Sequence, residues 1–358
     1  MNARTYDVAV IGAGPAGAVF AREYAQAEKE KRILLIDGQT AEHPKVCGGL
    51  LSPAAQKVLA KMDLTLPKSI LSDPQIFDVR TVDLPKHLIR HYQRHYLNMN
   101  RYAFDRWLLS LVPPTVDIFK GHCCSVTRGQ NGFLLQIRTN GVMQTFHASA
   151  VVGADGASSL VRGIFFSHMP LRYIAIQQHF TPHRTDTVPP YSCIFDPVTS
   201  ESCSWTIYKD GEVIFGGAFP KKNCKASFEH QRARVEEILG ISLGTPTKTE
   251  ACLVCGPRRP SDLVLGGDSV YLAGEAAGFI SASSFEGISG AVLSGRLLAR
   301  AFSNGKTPDA VLHLYRKYTR ALRLRIIGKF FKRAVLFSAP LRYLIMKSGL
   351  LSIKKFDI

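Results

Sequence analysis

Tyr6-Asp7-Val8-Ala9-Val10-Ile11-Gly12-Ala13-Gly14-Pro15-Ala16-Gly17 is followed by an alanine-rich run to about Ala27, then by Arg32-Ile33-Leu34-Leu35-Ile36-Asp37. The two short apolar runs have strand length, and the segment between them reads as a helix. This is a β-α-β unit of the kind that builds a parallel sheet. Gly12 permits the tight turn, Gly14 lets backbone approach a pyrophosphate, and Gly17 lets helix and strand pack closely. The helix opening near Ala16 offers free N–H groups and the positive end of its dipole to phosphate. Asp37 lies twenty residues after Gly17, where a carboxylate accepts from a ribose hydroxyl. Strand, glycine loop, helix and spaced acid agree on a dinucleotide site.

Working outward, Ser52-Pro53 reads as a helix start, because Ser caps and Pro tolerates the first helical position. Asn100-Arg101 opens another helix through Phe104, Trp107 and Leu108. Between about 166 and 250 the character changes. Ser204–Lys209 and Glu212–Phe215 flank Asp210-Gly211, a strong hairpin signal since both turn positions need positive φ. That region, with about 72–98, reads as a mostly antiparallel sheet. Val270–Ala273 returns to a buried-strand pattern, Gly287–Phe302 is helical, and 309–350 is helical with a break at Pro340.

The 358 residues allow one large domain or two sharing a core, and 46% hydrophobic with 20% charged residues excludes a disordered chain. The first apolar run leads into a glycine loop rather than a signal-peptide core, and eight cysteines without framework spacing suit a reducing compartment. No run of about 18 apolar residues predicts a spanning helix. The expected location is therefore cytoplasmic. Net charge is +17, and residues 305–358 hold 13 Lys or Arg against two acids, Asp309 and Asp357, a net +11. Such a patch attracts phosphate.

Val151-Val152-Gly153-Ala154-Asp155-Gly156-Ala157-Ser158-Ser159-Leu160-Val161-Arg162 resembles the second fingerprint of FAD-dependent hydroxylases and their relatives, and Leu272-Ala273-Gly274-Glu275-Ala276-Ala277-Gly278 resembles their third. In that superfamily the acid of the third motif hydrogen-bonds the ribityl chain of FAD; the usual residue is Asp, and Glu275 stands here. Lys45-Val46-Cys47-Gly48-Gly49-Leu50 with Ser52-Pro53 is similar to the signature of the geranylgeranyl reductase family, and Asn100-Arg101-Tyr102-Ala103-Phe104-Asp105 to its FAD-contacting helix start. The resemblance implies FAD as cofactor, with Gly12, Gly14, Ala16, Gly17, Asp37, Cys47, Gly48, Gly49, Arg101, Asp155, Gly156, Glu275, Gly278, Gly287 and Ile288 around it. It also implies a substrate signature, of which Trp205 and Gly216-Gly217 are kept while Cys203, Ile207 and Tyr208 depart from it. The helix near Gly287 would aim its positive end at the pyrimidine edge of the flavin. Cys47 is a candidate catalytic residue beside the ring. Tyr208, with Lys209, is a candidate proton donor on the hairpin.

The expected fold is α/β: a doubly wound FAD-binding domain (1–71, 99–165 and 251–304), an inserted β-rich substrate domain (72–98 and 166–250) and a basic helical C-terminal extension (305–358). The expected function is FAD-dependent reduction of carbon–carbon double bonds in an isoprenoid-type lipid. Two alternatives stand beside it: an FAD-dependent monooxygenase, and a non-catalytic flavin- and lipid-binding protein. NADPH, ferredoxin or flavodoxin would supply electrons, since no second complete glycine fingerprint is present. His87, His91 and His95 would share a helix face, but Tyr92 and Tyr96 interleave them, and Cys252-x-x-Cys255 lacks a second pair, so no metal site is expected. From Val311 to Phe337 apolar residues recur every three or four, which predicts one basic amphipathic helix, either packed on the core or docked peripherally on an anionic membrane. A small acidic electron donor would also suit the positive face; nucleic acid is not expected.

Overall fold

The computed structural model describes residues 5–39, 45–181 and 188–356. Residues 1–4, 40–44, 182–187 and 357–358, which include Asp357 of the basic tail, lie outside the described residues. Two eight-stranded sheets organise the chain. The first has a parallel core. Strand β1 (Thr5–Ile11) pairs with β2 (Ile33–Asp37) on one side and with β9 (Val142–Gly153) on the other. β6 (Asp117–Lys120) extends it beyond β2, and β16 (Val270–Leu272) beyond β9. The chain thus grows outward from β1 in one direction and later in the other. The ligand crevice of such a sheet lies where the order reverses, at the carboxyl ends of β1 and β9. β15 (Gly266–Gly267) closes the edge beside β16. β7 (His122–Gly129) and β8 (Gly132–Thr139) form an antiparallel meander into β9.

Helix α1 (Pro15–Ala27) carries the close packing expected of the glycine loop. A Cβ at Gly17 would collide with the carbonyl oxygen of Gly12, and a Cβ at Gly12, itself at φ 103°, would stand 2.5 Å from the carbonyl oxygen of Ala154. α6 (Ile288–Asn304) lies against α1, with α2 (Pro53–Ala60) and α3 (Arg101–Ser110) nearby. Ser52 precedes α2 as expected but its side chain makes no capping bond; its carbonyl accepts from Ala55 and Gln56 instead. Asn100 does cap α3, accepting from the Ala103 amide.

The second sheet runs β14 (Lys248–Cys255), β10 (Arg172–Phe180), β13 (Glu212–Pro220), β12 (Cys203–Lys209), β11 (Tyr191–Phe195), β4 (Ile76–Asp83), β5 (Leu88–Asn98) and β3 (Leu50–Leu51). Only the β11–β4 pair is parallel. Asp210 and Gly211 make the β12–β13 turn at φ 49° and 86°. The sheet crosses two expected domain limits, because β14 straddles residue 250 and β3 lies well before residue 72. Helix α5 (Cys224–Leu239) covers one face, burying Phe228 and Val235 against Phe215 and Phe219. Each such side chain contributes about 1.5–3 kcal/mol. His91 sits in β5, not on a helix, and pairs with Asp78 at 2.7 Å. α4 (Leu160–Phe165) follows the second fingerprint.

The single helix expected from Val311 to Phe337 is two: α7 (Pro308–Tyr318) and α8 (Arg320–Phe337), followed by α9 (Ala339–Ser348). The break is at Thr319, which is fully buried and donates its hydroxyl to the Tyr315 carbonyl at 2.6 Å. Tyr315, also buried, donates to the Leu272 carbonyl and ties α7 to β16. α8 then swings to the second sheet, where Phe337 meets Phe195 edge-on at 5.3 Å and Arg333 donates to the Glu201 carbonyl. Arg342 of α9 is 2% exposed, pairs with Asp83 (1% exposed) at 2.9 Å, donates to the Leu336 carbonyl and stacks over Phe195. Removing one member of a buried pair leaves a charge without solvation. Arg342→Met is therefore expected to lower the unfolding free energy by about 3–5 kcal/mol in urea titrations, and Arg342→Met with Asp83→Leu by much less. Equal losses in the single and double variants would sink the ion-pair account.

Candidate functional site

A cavity of about 1040 Å³ opens between the two sheets. At one end it begins on the glycine loop. Gly12, Gly14 and Ala16 line it, and a Cβ at Gly14 would meet nothing within 4 Å. No side chain caps α1, Pro15 has no N–H, and the Ala16 and Gly17 amides have no acceptor among the described residues. Gly17 does not line the cavity; it is the contact point of helix and strand. Asp37 also lines this end, buried, with its carboxylate accepting from Arg106 at 2.5 and 3.2 Å and from the Gln39 amide. Arg106 has no place in the sequence motif, yet it orients the acid that the motif supplies.

The second fingerprint follows β9. Asp155 and Gly156 line the cavity. The Asp155 carboxylate accepts from the Ser159 hydroxyl at 2.5 Å and the Val161 amide at 3.2 Å, and burial raises its pKa. Arg162 is fully buried and donates to the carbonyls of His168, Ala276 and Asp262, which binds this loop to the third motif. Glu275 of the third motif lines the cavity as well. Its Oε1 accepts from the Cys255 amide on β14 at 2.8 Å, and its Oε2 lies 3.6 Å from Lys45 Nζ. The methylene that separates Glu from Asp therefore carries this carboxylate across to the second sheet. The same carboxylate holds the Lys45 pKa above its usual value, against the opposing effect of burial. Gly278 is a correction: it does not line the cavity. A Cβ there would stand 2.7 Å from the Asp262 carbonyl, so its role is loop packing.

The middle of the cavity is walled by Cys47, Gly48 and Gly49, with Gly287 and Ile288 at the uncapped start of α6. Arg101 lines it too. Its Nε donates to Asp105 at 2.9 Å, and Cys47 is a second hydrogen-bond partner; burial opposes its charge, and these neighbours outweigh that and raise its pKa. Trp205 and Ile207 of β12 continue the wall, and Tyr96, Tyr191, Ile176 and Glu286 line the far end. Trp205 Nε1 is buried with no acceptor among the described residues. Glu286 accepts from the Tyr96 hydroxyl at 2.7 Å. Glu286, Tyr96 and Tyr191 carry no family motif and were not singled out by sequence reasoning.

Three expected residues of β12–β13 are corrected. Strand alternation puts Trp205, Ile207 and Lys209 on the cavity side of β12 and Tyr208 on the other, where it packs beside the α5 core. Tyr208 is therefore no proton donor to this cavity. Gly216 and Gly217 do not line it either. A Cβ at Gly216 would strike the Trp205 indole at 2.5 Å, so this glycine makes room for the tryptophan, and Gly217 packs beneath Ser204 and Phe219. Lys209 does not reach the cavity surface. It lies behind it, donating to the carbonyls of Gly48 (2.8 Å), Gly49 (3.3 Å) and Met99 (2.7 Å), and so fixes the Gly48-Gly49 wall.

These residues fit FAD. Two uncapped helix starts face one continuous cavity, the glycine loop leaves open space where a side chain would intrude, and the buried indole N–H awaits an acceptor. Gly12, Gly14 and Ala16 would hold the diphosphate, Asp37 the adenosine ribose, and Gly48, Gly49, Gly287 and Ile288 the ring. Burial lowers the Lys209 pKa to about 8. The native state then binds fewer protons than the unfolded chain between about pH 8 and 10.5, and stability rises with pH across that window. Relative to Lys209→Met, the wild type is expected to gain up to about 3 kcal/mol between pH 7.5 and 10.5 in paired denaturation curves. Parallel curves for the two proteins would count against the buried ammonium.

No family model matches the sequence. Among solved structures, a geranylgeranyl bacteriochlorophyll reductase-like protein from Thermoplasma acidophilum superposes with a TM-score of 0.81 at 19% identity, covering 98% of this chain and 92% of that one. The p-nitrophenol 4-monooxygenase PnpA from Pseudomonas putida gives 0.73 at 15% identity, covering 97% and 93%. These likenesses establish a fold shared by reductase-like and monooxygenase proteins. In sequence, the chain is 41% identical over 350 residues to protein CbrA of Escherichia coli O6:H1, covering 96% of this chain and 93% of that protein. An identity of that size over nearly the full length of both chains places this chain in the CbrA family.

Proposed function

We propose that the protein is an FAD-dependent oxidoreductase that reduces carbon–carbon double bonds of an isoprenoid-type lipid. The observation that carries this reading is the single cavity that starts on three nucleotide-type loops and ends among Tyr96, Tyr191, Trp205, Ile207 and Ile176. An adenine dinucleotide fills the first part; an apolar chain suits the second, since each buried methylene contributes about 0.8 kcal/mol. FAD, when bound, supplies two-electron redox chemistry. The chain's own residues bind, orient and exclude water. The backbone at Gly48-Gly49, fixed by Lys209, bears on one side of the ring site and the start of α6 on another. That helix end favours negative charge beside it by about 0.3–2 kcal/mol. Cys47, next to Arg101, and the Tyr96–Glu286 pair are among the protic groups that line the cavity.

We take the protein to work at an anionic membrane surface, from which such a lipid is drawn. Among the described residues no helix is long and apolar enough to cross a membrane. Leu324, Phe331, Leu344, Leu350, Leu351 and Phe356 are each more than half exposed on the C-terminal helices and tail, among lysines and arginines. NADPH or a small acidic protein donor would bring the electrons, the latter to the same basic face.

The expected outcome is a yellow protein with FAD bound. Its reduced form regains the oxidised flavin spectrum anaerobically when a polyprenyl lipid is added, with a hydrogenated product by mass spectrometry. Oxygen-dependent turnover with a hydroxylated product would replace this reading with the monooxygenase one. Tight lipid binding with no turnover under either regime would leave a flavin- and lipid-binding protein.

A further inference from the structure

Five carboxylates of the described residues line the cavity: Asp37, Asp105, Asp155, Glu275 and Glu286. Three have a cation. Asp37 pairs with Arg106, Asp105 with Arg101 and Glu275 with Lys45. Asp155 has none, but both its oxygens accept, from the Ser159 hydroxyl and the Val161 amide. Glu286 has neither provision. Tyr96 donates to its Oε1 at 2.7 Å, and among the described residues no cation pairs with it and nothing donates to its Oε2. Lys329 of α8 feels this charge, but it makes no ion pair with Glu286 and does not line the cavity. Tyr191 is the second group left open at this end. Its ring stands edge-on to Tyr96 at 5.5 Å, and its hydroxyl has no partner among the described residues. Neither that hydroxyl nor Glu286 Oε2 is closed off by packing. An open carboxylate oxygen among apolar side chains costs free energy until a donor reaches it, and it repels a second anion.

We propose that Glu286 and Tyr191 form a subsite for the hydroxyl head of an uncharged isoprenoid alcohol, Glu286 accepting a hydrogen bond from the hydroxyl and Tyr191 donating one to it. This rests on reading the cavity as a flavin-plus-lipid site, and it narrows that lipid to an alcohol rather than a phosphate ester or a hydrocarbon. A hydroxyl donates to the one group and accepts from the other at once. Tyr96 occupies Oε1 and so leaves Oε2 for the ligand. Burial above all, with Glu286 adding to it, holds the Tyr191 pKa well above its usual value, so the phenol stays a donor. The lysine and arginine that line the cavity, Lys45 and Arg101, are taken by Glu275 and Asp105. No lysine or arginine of the wall, among the described residues, is left to neutralise a phosphate head beside Glu286.

The test is calorimetric titration of the flavin-loaded full chain with farnesol, farnesyl methyl ether and farnesyl phosphate, in the wild type, Glu286→Gln and Tyr191→Phe. The ether keeps the oxygen and lacks the proton. The wild type is expected to bind farnesol at least about tenfold tighter than either other ligand. Glu286→Gln keeps the shape of the side chain and an acceptor for Tyr96. In it the preference for farnesol over farnesyl phosphate is expected to fall below about threefold, with FAD content unchanged. Tyr191→Phe is expected to weaken farnesol binding by about five- to tenfold and to leave farnesyl phosphate disfavoured. Equal binding of farnesol and its methyl ether, tighter binding of farnesyl phosphate than of farnesol, or an undiminished preference in Glu286→Gln overturns the subsite. A colourless protein that keeps the preference sinks the flavin reading and leaves the subsite standing. Binding of none of the three ligands overturns the subsite together with the lipid reading.

Discussion

The architecture depends on how closely helix α1 lies on the end of strand β1. With Gly17 against the Gly12 carbonyl and Gly12 against Ala154, backbone touches backbone at the junction of β1, β9 and α1. The same closeness continues to α6, where Gly295 lies on the Ala16 carbonyl. A methyl group at any of these points would force the elements apart, and close-packed interiors do not absorb such a change locally. The nucleotide loops converge because nothing larger than hydrogen separates the elements that bear them.

From that junction, side chains carry the organisation outward. Arg162 joins the second loop to the third through the Ala276 carbonyl and to the segment before β15 through the Asp262 carbonyl. Glu275 reaches from the third loop to β14, and Lys209 from β12 to the Gly48-Gly49 wall. Every one of these contacts crosses between segments remote in sequence. The cavity is a product of two sheets clamped together rather than a groove in either one.

This explains what was legible in the sequence. The β-α-β unit and the Asp210-Gly211 hairpin are local: strand period, turn chemistry and glycine spacing fall within a few residues of one another. Resemblance then supplied the second and third loops and the Cys47–Gly49 stretch. What escaped was set by orientation. Tyr208 sits between two residues on the cavity side of β12, but a strand alternates, and half of any strand motif points away; Gly216 and Gly217 instead make room for the Trp205, Ser204 and Phe219 side chains. Arg106, Tyr96 and Glu286 enter the site from separate segments, with no spacing to announce them. The break at Thr319 was invisible to periodicity, since both halves keep the same apolar recurrence and only the burial of one hydroxyl separates them.

The ion pair between Asp83 and Arg342 has a practical side. The C-terminal helices have the composition of an appendage, basic and rich in exposed leucine, and would be natural to trim for solubility. Yet α9 holds, among the described residues, the sole cationic partner of a buried aspartate at the end of β4. A shortened chain ending before Ala339 would keep that carboxylate interred with no described cation opposite it, and the damage would surface in the second sheet rather than at the cut.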